Sequence, residues 1–157
     1  MAYTVITTPT ASADVSIADF ATPVIDNFYA LRHQIRYAIV EVFSPGVTVT
    51  TGNGKKYIPL LTDFNGMNIV EVYARVITAG TTGTTTIQIN NSRTGDVLST
   101  RITIDSGETG SNTAAAPAVI NATKDDIATY DNLRIDVDGI QTTAPLGLIV
   151  VIGFQYP

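Results

Sequence analysis

The stretch Gly66–Ile104, GMNIVEVYARVITAGTTGTTTIQINNSRTGDVLSTRITI, decides the fold. Three segments in it alternate apolar and polar side chains, separated by Gly/Thr and Asn/Gly turns. In the first, Val70, Val72, Ala74 and Val76 fall on one side, and Glu71, Tyr73 and Arg75 on the other. In the second, Ile87 and Ile89 oppose Thr86, Gln88 and Asn90. In the third, Leu98, Thr100, Ile102 and Ile104 oppose Ser99, Arg101 and Thr103. A pleated strand sends successive side chains to opposite faces. A period of two therefore predicts three strands of a sheet with one face in a core.

The flanking sequence continues the pattern. Residues 38–43, AIVEVF, alternate, and Ser44-Pro45-Gly46 reads as a turn. VTVTT then meets Gly52-Asn53-Gly54, a hairpin signal because Asn and Gly tolerate positive φ. In KKYIPLL, Pro59 suggests an edge strand or a bulge. DSGETGSNTAAA is a loop by composition, PAVIN a weak strand and DDIATYDN a connection. LRIDVDG points Leu133, Ile135 and Val137 inward and Arg134, Asp136 and Asp138 outward. LGLIVVIGFQY is apolar on both faces, as in a strand between two layers or at a subunit contact. The expectation is an all-β domain over residues 38–157. It is a β-sandwich, a jelly roll among its forms, of about eight or nine strands.

Residues 1–37 read differently. Ala2–Ser16 is a polar, Thr-rich, Pro-containing arm, extended on a neighbouring subunit or on its own domain. Val5 and Ile6 are its apolar anchor, suited to adding a strand to a sheet edge. Phe20, Val24, Phe28, Leu31 and Ile35 then recur at spacings of three and four. That is the helical period. With Thr22 as N-cap and Pro23 first in the helix, the pattern predicts one amphipathic helix over Pro23–Tyr37. Its apolar face packs on its own sheet or pairs with copies of itself. These seven residues, Val5, Ile6, Phe20, Val24, Phe28, Leu31 and Ile35, are the expected interface.

Composition narrows the chemistry. The 157 residues carry a net charge of −5, and 15% of them are charged. That is below the usual share of about a quarter. Lys and Arg form no basic patch, so a nucleic-acid partner is not expected; the doublet Lys55-Lys56 reads as a hairpin flank. The absence of cysteine removes thiolate metal sites and thiol catalysis. The opening MAYTVITTPTASADVS lacks the basic and apolar regions of a signal peptide. Leu146–Phe154 is too short for a membrane helix of about 20 residues.

His33, the sole histidine, sits near the expected helix end with no nucleophile beside it, and reads as a partner of the last carbonyls. Asp136 and Asp138 have the spacing of a paired-carboxylate site, but read as a solvated strand face paired to Arg134. Asp125, Asp126, Asp105 and Glu108 read as turn-forming loop acids. The sequence thus predicts no catalytic, cofactor-binding or metal-binding residue.

Two sets of phrases carry a family resemblance. IDNFYALRHQI resembles the helix near the start of many small virion proteins of tailed bacteriophages, where a Thr/Pro-rich arm precedes it and a β domain follows. GNGKKYIPL, FNGMNIVEVYARVITAGTTGTTTIQI, DVLSTRITIDSGET, DDIATYDNLRIDVDGI and GLIVVIGFQYP resemble, in order, the phrases of that β domain. The resemblance spans Pro9–Pro157. It implies a non-enzymatic structural protein on the phage particle surface: capsid decoration or cement, head or neck fibre, or tail component. Nothing long lies upstream of the helix here, which favours decoration over a fibre tip. The expected partners are itself, as a homotrimer, and the major capsid protein or other virion proteins, with no membrane and no cofactor. A tail- or fibre-associated carbohydrate-binding module is the alternative, with Tyr73 and Tyr130 as candidate stacking residues.

Overall fold

The computed structural model describes Val24, Asp26, Asn27, Tyr29, Ala30 and residues 33–157. These fall into two units: one ends at Gln34 and includes Tyr156, and the other runs from Ile35 to Gln155 and includes Pro157. In the first, Val24, Asp26, Asn27, Tyr29 and Ala30 have helical backbone, and the His33 N–H donates to the Tyr29 carbonyl at 3.0 Å.

The second unit is all-β. Its ten strands are β1 (Arg36–Thr48), β2 (Gly52–Pro59), β3 (Asn68–Thr78), β4 (Thr85–Asn91), β5 (Gly95–Asp96), β6 (Leu98–Thr100), β7 (Ile102–Ile104), β8 (Val119–Ile120), β9 (Asn132–Gly139) and β10 (Leu146–Gln155). One sheet has the order β1-β10-β3. A second has β2-β9-β4-β5, with β7 also on β4, and β6 pairs with β8 alone. Every pairing is antiparallel. β2 lies at an edge, as Pro59 requires.

Alternation fills the core. Ala74, Val76, Leu148, Val150, Ile152 and Phe154 of the first sheet are fully buried, as are Ile87, Ile89, Leu133, Ile135 and Val137 of the second. Each such aliphatic side chain contributes about 1.5–3 kcal/mol on removal from water. The Phe64 ring packs edge-on against Phe154 with centroids 4.9 Å apart.

Among the expectations that fail are the following. The helix does not reach Tyr37: β1 begins at Arg36, where pairing of Arg36 with Phe154 and Tyr37 with Gly153 claims the backbone. Ser44-Pro45-Gly46 is no turn. It is an irregularity inside β1, with Gly46 at φ 81°. Gly52-Asn53-Gly54 closes no hairpin either, since β1 and β2 belong to different sheets. It arches within β2, where four steps from Gly52 to Lys56 span only two from Val137 to Ile135. Val70 is 41% exposed while Ile69 is 1% exposed. Glu71 pairs with Gly153 and Ile69 with Phe154, so Val70 is the extra residue of a bulge and the inward phase shifts by one.

Candidate functional site

Asp136 is not on a solvated face: it is 3% exposed. The arch of β2 covers it, and the Gly54 N–H donates to Asp136 Oδ1 at 2.7 Å. Arg134, two residues along β9, donates Nε to both carboxylate oxygens (2.9 and 3.1 Å) and Nη2 to Oδ2 at 2.8 Å. The Asp136 hydrogen bond raises the Arg134 guanidinium above its ordinary value, against the opposing effect of burial. Asp138 pairs instead with Arg101. The two carboxylates therefore serve two different arginines.

A second carboxylate centre was not legible in the sequence. Asp131 is buried in the connection before β9. It accepts from the Asn91 amide at 2.9 Å, from the Ala128 N–H at 2.9 Å and from Arg93, whose Nη2 also bonds Asp126 at 3.0 Å. Burial opposes the charge on Asp131. The Ala128, Asn91 and Arg93 hydrogen bonds outweigh it and hold the carboxyl below the usual carboxylate range. Asp126 is thus an ion-pair partner rather than a plain turn former. Asp105 accepts from the Ala115 N–H at 2.8 Å, and Glu108 accepts from the Thr113 hydroxyl.

Two exposed surfaces carry apolar side chains. On the outer side of the first sheet, Ile39, Val151 and Tyr73 form one cross-strand row, and Tyr37, Gly153 and Glu71 the next. Ile39 is 74% exposed. The Tyr37 hydroxyl donates to Glu71 Oε2 at 2.8 Å, which raises the phenol above its ordinary value. A second patch lies where the segment after β2 meets the turn before β9. There the Tyr130 N–H donates to the Leu60 carbonyl and the Leu60 N–H to the Asp131 carbonyl. Leu61 and Tyr130 stand out from that junction, Tyr130 76% exposed and at φ 68°.

Of the expected interface, Val5, Ile6, Phe20, Phe28 and Leu31 lie outside the described residues, as does the arm. Val24 is exposed on helical backbone, and Ile35 is exposed just ahead of β1. His33 stacks on Tyr29 with ring centroids 3.7 Å apart, and its Nδ1 lies 2.8 Å from the Tyr29 carbonyl. Tyr73 is half-buried, its hydroxyl close over Gly110. Among the described residues, no group of three or more His, Asp or Glu is placed to hold a metal ion. No helix among them is long and apolar enough to cross a membrane. No family model, curated protein or solved structure matches the chain.

Proposed function

We propose that this chain is a non-enzymatic structural protein of a tailed-phage virion, decorating the capsid surface and stabilising the head. The observation that carries the reading is strand order. One sheet holds the first, last and third strands, and the other the second, penultimate and fourth. Arg75 bridges to Gly110, which sets the segment leading to β8 beside β3. We read this order as that of a jelly-roll sandwich, an architecture used by viral capsid domains. It agrees with the phage resemblance of the sequence. The commitment of Asp136 and Asp138 to separate arginines also favours a structural role over hydrolysis. In this reading the N-terminal segment forms the amphipathic helix and arm, anchors the protein to the major capsid protein and supports a homotrimer. Gold labelling of the protein on intact particles tests it: label spread over the head is expected, and label confined to the tail overturns it.

Tyr130 favours a second reading, a fibre- or tail-associated carbohydrate-binding module. A bulky residue at positive φ is strained, and strain of this kind gathers at functional positions. Its exposed ring offers a stacking platform for a sugar. Glycan-array binding that is lost in Tyr130→Ala, with tail labelling, selects this reading.

A further inference from the structure

We propose that Asn53-Gly54 is a self-modifying site: Asp136 takes the Gly54 amide proton, and Asn53 passes through a succinimide to aspartate or isoaspartate. The chain holds two Asn-Gly pairs, Asn53-Gly54 and Asn65-Gly66. The backbone nitrogen after an asparagine can attack its side-chain carbonyl, and glycine, with no Cβ, hinders that attack least. The fold treats the two pairs oppositely.

At Asn65 both reacting groups are engaged. Its Oδ1 accepts from the Thr129 N–H at 3.0 Å, and the Gly66 N–H donates to the Ile127 carbonyl at 2.9 Å. A neutral carbonyl is a poor proton acceptor. At Asn53 the side chain is exposed and makes no hydrogen bond among the described residues. The Gly54 N–H donates instead to a buried carboxylate, Asp136 Oδ1, at 2.7 Å. The Arg134 fork fixes that carboxylate in place. The arch also demands glycine: Gly54 is at φ 69°, and a Cβ there would stand 2.5 Å from the Tyr57 hydroxyl.

As the Gly54 nitrogen bonds to Asn53 Cγ, its proton passes to Asp136 Oδ1. Asp136 returns that proton to the departing Nδ2, the Cγ–Nδ2 bond breaks and ammonia leaves. Water then opens the ring at either carbonyl, giving aspartate or isoaspartate. The imide nitrogen carries no hydrogen, so Asp136 loses a donor in a closed site. Isoaspartate then lengthens the backbone of the arch by a methylene. Modification therefore loosens β2 from β9, whether or not the protein belongs to a virion.

The full-length protein, aged at neutral pH both native and in urea, tests this. Peptide mass spectrometry follows the conversion of amide to acid at each site, and a methyltransferase specific for isoaspartate labels the product. In the native protein Asn53 is expected to convert at least about tenfold faster than Asn65, and faster than Asn53 does in urea, as general-base assistance requires. In urea the two sites should react alike. Aged protein should melt lower than fresh, and Asn53→Gln, whose longer side chain closes a ring far more slowly, should keep its melting temperature. Asp136→Asn, folded by circular dichroism, should slow the conversion of Asn53. The proposal is overturned if native Asn53 reacts no faster than Asn65, or if folded Asp136→Asn leaves its rate unchanged. It is also overturned if native Asn53 reacts more slowly than in urea, since the hydrogen bond is then a lock and not a base. Should Asp136→Asn fail to fold, the two wild-type comparisons decide alone.

Discussion

The side-chain amide of Gln88 pairs with the backbone of Leu98 as another peptide would. Gln88 Nε2 donates to the Leu98 carbonyl at 3.0 Å, and the Leu98 N–H donates to Gln88 Oε1 at 3.2 Å. The Ile89 N–H shares the same oxygen at 2.9 Å. This is where the chain leaves β4 between β5 and β7 to form β6 on β8. The amide fills the gap in the ladder that the detour opens.

Gln88→Leu roughly keeps the volume and strands three backbone groups, the Leu98 carbonyl and N–H and the Ile89 N–H. Each costs about 1–3 kcal/mol unpaired, so a loss of at least about 3 kcal/mol is expected in urea denaturation. Amide exchange at Leu98 should quicken in parallel. A loss under about 1 kcal/mol means that residues 98–100 find other partners.

Asp136→Ala and Asp138→Ala should differ sharply. The first leaves the Gly54 N–H and most of the Arg134 fork without an acceptor in a closed site. A loss of about 3 kcal/mol is expected, at the lower end for a broken buried pair because Arg134 is partly exposed. The second removes a more exposed pair and should cost under about 1 kcal/mol. Equal melting temperatures for the two variants contradict this.

Acid should weaken the fold through Asp131. Its carboxyl titrates below the usual range when folded, while the unfolded chain binds that proton near about pH 3.9. The unfolded state is therefore protonated first as pH falls. The stability this group contributes is whole above the unfolded value and is lost as pH drops through it towards the folded value. Asp131→Asn should be less stable than wild type at neutral pH, and the gap should narrow by pH 3. A gap that widens in acid reverses the sign and refutes the assignment.

Tyr130→Gly should hold or raise stability, by up to about 1 kcal/mol, because glycine adopts φ 68° without strain. Sugar binding on the second functional reading should vanish in the same variant. A melting temperature several degrees lower shows that the ring packs on the fold rather than serving a ligand.

What the sequence made legible was the period of two. Ile87 with Ile89, and Leu133 with Ile135 and Val137, are buried as the alternation predicts. Val70 was misplaced because one bulged residue resets the phase, and no local signal marks it. Gly46, Gly52 and Gly54 announce positive φ correctly, at 81°, 135° and 69°. Positive φ serves bulges as well as hairpins, and only the pairing partner tells them apart. The outward direction of Asp136 was right and its exposure wrong, because the cover comes from β2, far away in sequence. The Asp131–Arg93–Asp126 cluster joins residues from separate loops, so no spacing reveals it. The fold class was therefore readable, whereas the charged centres depended on tertiary contact.

β10 is the last strand in the chain and the middle strand of its sheet. On a ribosome, β1 and β3 emerge long before the strand that must lie between them. Until β10 arrives, each shows an open edge to the other chains of the polysome. Joining β1 to β10 also closes a loop of nearly the whole domain, which makes for slow folding. Loss of β10 should thus leave both edges open and send the product into aggregate.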